Sequence, residues 1–221
     1  VGGGIGTTSI DPFEKTRNII YDIFSPESVD GIVFCGGTLT NGSTHEELES
    51  FYRRFASLPS ISVGAAGSHI PRILVDNDQG MRDIVQHLID EHGYQHIAFI
   101  SGPAGNMDAD RRKQILLDVM RDNGLEVDPD LIYEGDFNND SGGDAVNHWF
   151  GKLNRSPEAI VASNDNMAFG AVNALGERGI SIPYTVAVTG FDDVSDAVMT
   201  LPPLTTVRQP VYQEAKQALS A

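Results

Sequence analysis

Residues 159–170, with the sequence AIVASNDNMAFG, have the pattern of a buried strand, a polar cap and a helix. The residues from Ala159 to Ala162 are apolar at every position, which is typical of a parallel strand covered on both faces. Asn164 or Asp165 can cap the helix that follows, in which apolar residues recur at helical spacing. Ligands bind at the carboxyl ends of strands in open parallel sheets. The polar residues here are therefore candidates for ligand binding as well as for capping alone.

The same alternation of strand and helix patterns runs along most of the chain. Strands are predicted at 31–35, 60–63, 73–75, 96–101, 131–134, 159–162, 186–191 and 205–208, and helices at 44–56, 79–92, 109–123, 141–150, 165–178 and from 211. Repeated strand–helix units with short connections predict an α/β protein, with parallel sheets flanked by helices. The length of 221 residues allows one large domain or two lobes of about 100 residues each.

The charge of the chain limits its partners. It carries 31 acidic and 15 basic residues, for a formal net charge of -16. Such a negative surface repels phosphate backbones, so this part of the protein is not expected to bind nucleic acid by itself. No apolar run approaches the roughly 20 residues that span a bilayer, and no membrane association is predicted.

The first residue is Val1 and not a methionine, so we interpret the chain as a piece of a longer protein. The lack of a basic and apolar leader in this piece therefore says little about the full protein. The single cysteine, Cys35, excludes an internal disulfide and is typical of a reducing compartment. Because Cys35 follows an apolar run, it is predicted to be a buried structural thiol.

Several catalytic and metal-binding motifs are absent from the sequence. The glycines at 2–4 and 6 lack the spacing of a dinucleotide cradle, and neither a P-loop nor a nucleophile elbow is present. His87 and His92 lie five residues apart and are predicted to point away from each other on a helix, so they give no zinc pattern. Asp192 and Asp193 are adjacent, which does not favour an acid/base couple. No catalytic residue, metal site or cofactor is therefore predicted.

Polar and aromatic residues follow the ends of several predicted strands. They are Asn106, Asp108, Arg112, Asp136, Phe137, Asn164, Asp192 and Gln209. Arginine offers a planar fork of donors, the acids accept hydrogen bonds, the amides do both, and phenylalanine offers a flat apolar face. This mixture predicts a site for a small hydroxylated or ring-bearing molecule. The alternative is that Arg112 and Asp108 form a surface pair and that Phe137 is a core residue.

Five segments together resemble the lac repressor / galactose repressor family of bacterial regulators. They are VDND at 75–78, HGYQHIAFISGP at 92–103, ASNDNMAFG at 162–170, VAVTGFDD at 186–193 and PPLTTVRQP at 202–210. They occur in the order of the family and cover roughly residues 29–210. Three departures stand beside them: the first strand before residue 29 is not recognisable, Gly64 replaces a common acid, and Ile115-Leu116 replace a common Gly-Phe pair.

The resemblance implies a two-lobed, periplasmic-binding-protein-like type I fold, in which each lobe is a parallel sheet flanked by helices. Residues 1–75 plus 209–221 would form an incomplete N-terminal lobe, and residues 76–208 the C-terminal lobe. A hinge of crossing strands and a ligand cleft between the lobes are expected.

The resemblance also implies roles for single residues. Arg112 would clamp the ligand, with Asn106 and Asp108 shortly before it, and Phe137 would stack on the ligand. Asn164 and Asp192 would lie in the cleft, and Gln209 in the hinge. Asp165 and Asp193 are expected to be structural caps.

By this resemblance the chain is expected to be the effector-binding and sensing domain of a transcriptional regulator, and not an enzyme. It would bind a sugar or a nucleoside-like effector, form a homodimer, work in the cytoplasm and bind DNA only through a helix-turn-helix outside this chain. Three alternatives stay open from the sequence: a sensor joined to a diguanylate cyclase or kinase output, an extracytoplasmic sugar-binding transport protein, and an enzyme that uses Asp192 or Asp193 as a base.

Overall fold

The structure, a computed structural model, describes residues 18–39, 45–64 and 69–220, and these residues form two compact units. The smaller unit contains the described residues up to Val75, the short segment Gly105–Asp108 and the residues from Pro210 onward. The larger unit contains Asp76–Ala104 and Ala109–Gln209. Neither unit is therefore one continuous stretch of the chain.

The elements of the described residues alternate between strand and helix. The strands are β1 (Ile32–Cys35), β2 (Ser60–Val63), β3 (Arg72–Ile73), β4 (Ile97–Ser101), β5 (Ile132–Glu134), β6 (Ala159–Ala162), β7 (Ala187–Asp192) and β8 (Thr205–Arg208). The α-helices are α1 (Gly36–Leu39), α2 (His45–Arg53), α3 (Asn77–Asp90), α4 (Met107–Asp122), α5 (Asn139–Val146), α6 (Asp165–Glu177) and α7 (Val211–Ala218). Short 3-10 helices lie at Asn18–Ile23, Pro129–Leu131 and Ser195–Met199.

Each unit contains one parallel sheet. In the smaller unit the strand order is β1-β2-β3, and in the larger unit it is β5-β4-β6-β7-β8. All strand pairs in both sheets are parallel. The predicted α/β class is confirmed.

The sheet of the larger unit is covered on both faces, as the apolar strand at 159–162 predicts. Successive residues of a strand point to opposite faces. Ile160 and Ala162 pack in one apolar cluster with helices α5 and α6. Ala159 and Val161 pack in another with α3 and α4. All four are fully buried, so β6 forms the centre of the core.

Two helices of the larger unit approach each other closely because glycine stands at their contact. A Cβ atom on Gly170 of α6 would lie 1.8 Å from the carbonyl oxygen of Asn139, and one on Gly142 of α5 would lie 1.9 Å from that of Met167. Only a residue without a side chain fits at such distances. The glycines therefore set the spacing of α5 and α6.

The helix predicted at 141–150 differs in the structure. It begins at Asn139 as α5 and continues past Val146 as a π-helical segment, Asn147–Leu153. Within this segment the ring of Trp149 is fully buried, and its Nε1 donates a hydrogen bond to the carbonyl oxygen of Asp130 at 3.0 Å. Asn154, in the left-handed conformation with φ 52°, ends the segment.

Two predictions about single side chains are wrong. Cys35 is exposed rather than buried, because Phe34 takes the core-facing position of β1 and its neighbours in the strand point the other way. His87 and His92 face each other, with their Nε2 atoms 3.3 Å apart. Helix α3 ends at Asp90, and the turn at Gly93, with φ +69°, returns the chain toward the helix. The glycines at 2–4 and 6 and the first residue of the helix predicted at 44–56 lie outside the described residues.

Candidate functional site

Arg112 is held in the larger unit by three different kinds of contact. It belongs to α4, and only 4% of it is exposed. Its Nε donates to Asn77 Oδ1 at 2.8 Å, and its Nη1 donates to the carbonyl oxygen of Ser163 at 2.5 Å. Its guanidinium carbon lies 3.7 Å from the centre of the Phe191 ring, within the range of a cation–π interaction. The orientation of the guanidinium is therefore fixed before any ligand binds.

Asp192 connects Arg112 to Gln209. It is the last residue of β7, with φ 121°, a conformation that residues other than glycine rarely adopt. Its Oδ1 lies 3.8 Å from Arg112 Nη1 and accepts a hydrogen bond from Gln209 Nε2. The Asp192 side chain is partly exposed, at 29%.

Asn164 is joined to Phe137 at the ends of two other elements. Asn164 is the N-cap of α6: its Oδ1 accepts from the backbone N–H of Met167 at 3.0 Å. Its Nδ2 donates to the carbonyl oxygen of Phe137 at 3.0 Å. The backbone of Phe137 has φ 69°, and its ring lies so close to Gly102 that a Cβ there would be 2.3 Å from it. The amide of Asn164 thus holds Phe137 in a strained conformation.

Asn106 and Asp108 belong to the smaller unit. Asn106 is buried, its Nδ2 donates to the carbonyl oxygen of Gly37 at 3.3 Å, and its Oδ1 accepts from the N–H of Asp108 at 3.1 Å. A Cβ on Gly37 would lie 3.6 Å from Asp108 Oδ2. Because Gly37 is two residues beyond the end of β1, this polar group lies at the carboxyl edge of the smaller sheet.

Five of the seven predicted ligand residues thus lie in the larger unit, and two lie in the smaller unit. Arg112, Asp192 and Gln209 form one connected set, and Asn164 and Phe137 form a second. The two sets meet at Ser163, whose carbonyl Arg112 binds and which directly precedes Asn164. The alternative in which Arg112 is half of a surface pair does not hold, because Arg112 is buried.

Asp165 and Asp193 bind neighbouring groups of the protein. Asp165 is fully buried; its Oδ1 accepts from the Thr206 hydroxyl at 2.6 Å, and its Oδ2 accepts from the N–H of Val194 at 2.9 Å. Burial raises the pKa of the Asp165 carboxyl above its usual value, although these two hydrogen bonds oppose the rise. Asp193 accepts from Nε of Arg208. Asp165 thus joins α6 to β8 and to the segment after β7, and Asp193 joins that segment to β8. Asn164, not Asp165, is the cap of α6.

Among the ranges that the structure describes, no three histidine, cysteine or acidic side chains are grouped so that they could hold a metal ion. In the same ranges, no helix combines the length and the apolar character needed to cross a bilayer.

Comparison with known proteins decides the family. The sequence model of the family called periplasmic binding protein-like domain matches residues 85–221, which are more than half of the chain. The chain belongs to this family of periplasmic binding protein-like domains.

Relatives of this periplasmic binding protein-like domain include named repressors. It is 31% identical over 207 residues to the HTH-type transcriptional repressor PurR of Actinobacillus pleuropneumoniae serotype 3 (strain JL03), covering 94% of this chain and 60% of that protein. The chain thus spans about three fifths of the length of this curated relative. The repressor names confirm the resemblance to the lac repressor / galactose repressor family and support the prediction that the domain is not an enzyme.

Two solved structures are similar to the domain. One is a sugar-binding transcriptional regulator of the LacI family from Escherichia coli, complexed with phosphate; it is 27% identical, has a TM-score of 0.74, and the match covers 94% of this chain and 72% of that one. The other is the complex of the transcriptional regulator CelR with cellobiose, which is also 27% identical, with a TM-score of 0.78 and coverage of 95% and 62%. The predicted fold class is confirmed.

Sequence reasoning missed the residues that orient Arg112. The sequence predicts no role for Asn77 beyond its place in the VDND segment, and none for Phe191 beyond its place in a strand. Both residues nevertheless contact the guanidinium. The sequence offers one signal for them, since both stand beside acids in segments that resemble the family. Their contact with Arg112, however, depends on how α3, α4 and β7 pack.

Proposed function

We propose that this domain binds a small polar effector, a sugar or a nucleoside-like compound, as the sensing part of a transcriptional regulator. The observation that carries the proposal is the polar set at the carboxyl edge of the larger sheet. There the fixed guanidinium of Arg112 lies near the partly exposed carboxylate of Asp192, which the amide of Gln209 also binds. A second amide, that of Asn164, binds the backbone carbonyl of the aromatic residue Phe137. Donors and acceptors of this kind bind hydroxyl groups, and an aromatic face packs on the apolar side of a sugar or base.

The names of the relatives support the regulatory part of the proposal. PurR is named as a repressor, and CelR was solved with cellobiose. These names favour a regulator over a transport protein or an enzyme. The whole protein would bind DNA through a segment outside this chain, form a homodimer and act in the cytoplasm. A bound effector would control DNA binding only to the extent that it prefers one conformation over another.

The first experiment is a search for ligands by thermal shift and calorimetry, with neutral sugars such as cellobiose and nucleosides such as adenosine. We expect at least one compound to raise the melting temperature and to be recovered unchanged. The proposal fails if no sugar or nucleoside binds, or if a compound that binds is converted to a product.

A pair of variants tests the site. Asp192→Asn removes the carboxylate charge beside Arg112 and should weaken binding at least tenfold, since charge-assisted hydrogen bonds are the strong ones. Asp196→Asn removes a charge from the exposed 3-10 helix after β7 and should leave binding unchanged. Equal binding by both variants would show that Asp192 takes no part in the site.

A further inference from the structure

His87 and His92 form a pair of imidazoles at the carboxyl end of helix α3, within the larger unit. Both side chains are exposed, and their Nε2 atoms lie 3.3 Å apart. The two ring planes are perpendicular, and the ring centres are 4.9 Å apart. The ring nitrogens of neutral imidazole are the commonest metal ligands in proteins. Two such ligand atoms therefore lie together on the surface of this unit.

The backbone holds the two histidines next to each other. His87 is in the last turn of α3. Gly93, with φ +69°, donates its N–H to the carbonyl oxygen of Ile89 at 2.9 Å. A glycine in this left-handed conformation ends a helix and turns the chain back along it. The position of His92 beside His87 is thus set by the end of the helix, and not by the contact between the imidazoles alone.

The ring of Tyr94 restricts the ring of His92. The two rings are stacked, with an angle of 18° between their planes and 5.3 Å between their centres. Tyr94 in turn packs against the apolar cluster of α3 and α4, and its N–H donates to the carbonyl oxygen of Leu88 at 3.2 Å. Because one face of the His92 ring is covered, this side chain loses less conformational freedom when its nitrogen binds a further group.

The separation of the two nitrogens is that of two ligands on a tetrahedral metal ion. Zinc–nitrogen bonds of about 2.0–2.1 Å at tetrahedral angles place two imidazole nitrogens about 3.3–3.4 Å apart. His87 Nε2 and His92 Nε2 already have this separation. In the present contact only one of two neutral imidazoles donates its proton to the other. On metal binding that proton moves from Nε2 to Nδ1 of its own ring, which leaves both Nε2 lone pairs for the ion.

The charges of this part of the chain favour a cation. The carboxyl end of a helix carries a partial negative charge, because its last carbonyl groups have no partner within the helix. Asp83, Asp90 and Glu91 belong to the same stretch of sequence. The basic residue of α3, Arg82, lies 3.8 Å from Asp122. Together with the formal net charge of -16, this balance attracts positive ions.

The histidines also have space beside them. Both line a cavity of about 460 Å³ together with Tyr94 and Tyr184, and this cavity runs along the amino half of β7. A metal ion with two protein ligands fills its other positions with water, and the cavity provides room for these waters. Asp192 stands at the opposite end of β7. The histidine pair is therefore separate from the candidate effector site.

We propose that His87 and His92 bind a divalent transition-metal ion, represented by Zn²⁺, through both Nε2 atoms. Imidazole nitrogen suits zinc, copper and nickel, whereas Mg²⁺ and Ca²⁺ prefer oxygen ligands. A structural zinc site has four protein ligands and a catalytic one has three, so an ion held by two is exchangeable. This inference does not depend on the proposed effector, because no residue of the effector site takes part.

The test is calorimetry of the full chain, freed of metal by a chelator, with zinc chloride and with magnesium chloride. His87→Ala and His92→Ala each remove one ligand. His69→Ala removes an exposed histidine of the smaller unit and is the control. A second measurement is the electron paramagnetic resonance spectrum of bound Cu²⁺, which reports how many nitrogen atoms bind the ion.

We expect a saturable site for Zn²⁺ on the natural chain and no binding of Mg²⁺ at the same concentrations. The affinity for Zn²⁺ should fall at least tenfold in His87→Ala and in His92→Ala and should be unchanged in His69→Ala. Zn²⁺ should raise the melting temperature of the natural chain but not of the two variants, because an ion that binds only the folded form stabilises it. The Cu²⁺ spectrum should show two nitrogen ligands in the natural chain and one in each variant.

Three results would overturn the inference and leave the proposed function untouched. They are binding of Zn²⁺ no tighter than that of Mg²⁺, an unchanged affinity for Zn²⁺ in both variants, and a Cu²⁺ spectrum that is the same in all proteins. Each would show that the imidazole contact is a hydrogen bond only. If either alanine variant unfolds without metal, His87→Gln and His92→Gln repeat the comparison with a hydrogen-bonding side chain retained.

Discussion

The guanidinium of Arg112 lies 3.7 Å from the centre of the Phe191 ring, and Phe191 directly precedes Asp192. The same arginine therefore contacts the ring of one residue and the carboxylate of the next. Because Arg112 is on α4 and both partners are on β7, this contact ties the helix to the end of the strand. Arg112 is thus a structural residue as well as a candidate ligand contact.

Arg112→Ala should reduce stability even without an effector. It leaves Asn77 Oδ1 and the carbonyl oxygen of Ser163 without their donor and opens a space over Phe191. We expect the free energy of unfolding to fall by about 3 kcal/mol, measured by urea denaturation. The control is Arg111→Ala, because Arg111 is half exposed and pairs with Asp78 at the surface. A surface pair contributes little, so a loss as large as that of Arg112→Ala would contradict this interpretation.

Asn164→Ala should also destabilise the free protein, because Asn164 caps α6 and binds the Phe137 carbonyl. We expect a loss of about 2 kcal/mol, since a cap and a second hydrogen bond disappear together. Asp76→Ala removes only a cap, that of α3, and should cost about 1 kcal/mol. Equal losses in thermal unfolding would mean that the bond to Phe137 contributes nothing.

Two acids should change the stability of the protein with pH in opposite directions. Burial raises the pKa of Asp165, so its folded form holds the proton more tightly than the unfolded chain. As the pH rises above the ordinary value of 3.8, the natural chain should lose stability relative to Asp165→Asn. The N–H of His96 donates to Glu158 and lowers its pKa, although burial opposes this, and the N–H of Gln95 lowers it further. The natural chain should therefore gain stability relative to Glu158→Gln as the pH rises to and above 4.5.

The two pH dependences are measured by denaturing the natural chain, Asp165→Asn and Glu158→Gln at a series of pH values. Each variant is compared with the natural chain at every pH, so titration of other groups cancels to a first approximation. Slopes of the same sign for the two acids would contradict the assignment of burial as the main influence on Asp165.

Replacing each of two glycines of α6 by alanine should change the stability of the protein in opposite directions. A Cβ on Gly170 would collide with the carbonyl oxygen of Asn139, so Gly170→Ala should cost about 2–3 kcal/mol through forced separation of α5 and α6. Nothing lies within 4 Å of a Cβ on Gly176, so Gly176→Ala should stabilise the helix by about 0.5–1 kcal/mol. The melting temperatures of both variants test this, and a stable Gly170→Ala would show that the helices are not held at contact distance.

The strands of the larger sheet could be predicted closely from sequence. The predicted strands at 159–162 and 205–208 have the observed bounds of β6 and β8. The first is a short apolar run whose neighbours are polar, which leaves little choice of boundary. The predicted helix at 141–150 was less accurate, because periodicity does not show where an α-helix changes to a π-helical segment.

The candidate site was predictable in its residue types but not in its internal connections. Arg112 and its partner Asn77 are 35 residues apart, and Ser163 is 51 residues beyond Arg112, so no local pattern relates them. The burial of Glu214 could not be predicted for a different reason. An acid on an amphipathic helix is normally assigned to the solvent side, and only the packing of α7 shows that it is buried.

The path of the chain through the two units has a practical consequence for dissecting the protein. A single cut cannot release the smaller unit, because it consists of three separate segments of the chain. The first ends at Val75, the second is Gly105–Asp108 and the third begins at Pro210. A fragment spanning 76–209 would, by contrast, retain the whole larger unit and carry only four foreign residues. Recombinant production of that fragment would isolate the Arg112 and Asp192 contacts from every residue of the smaller sheet.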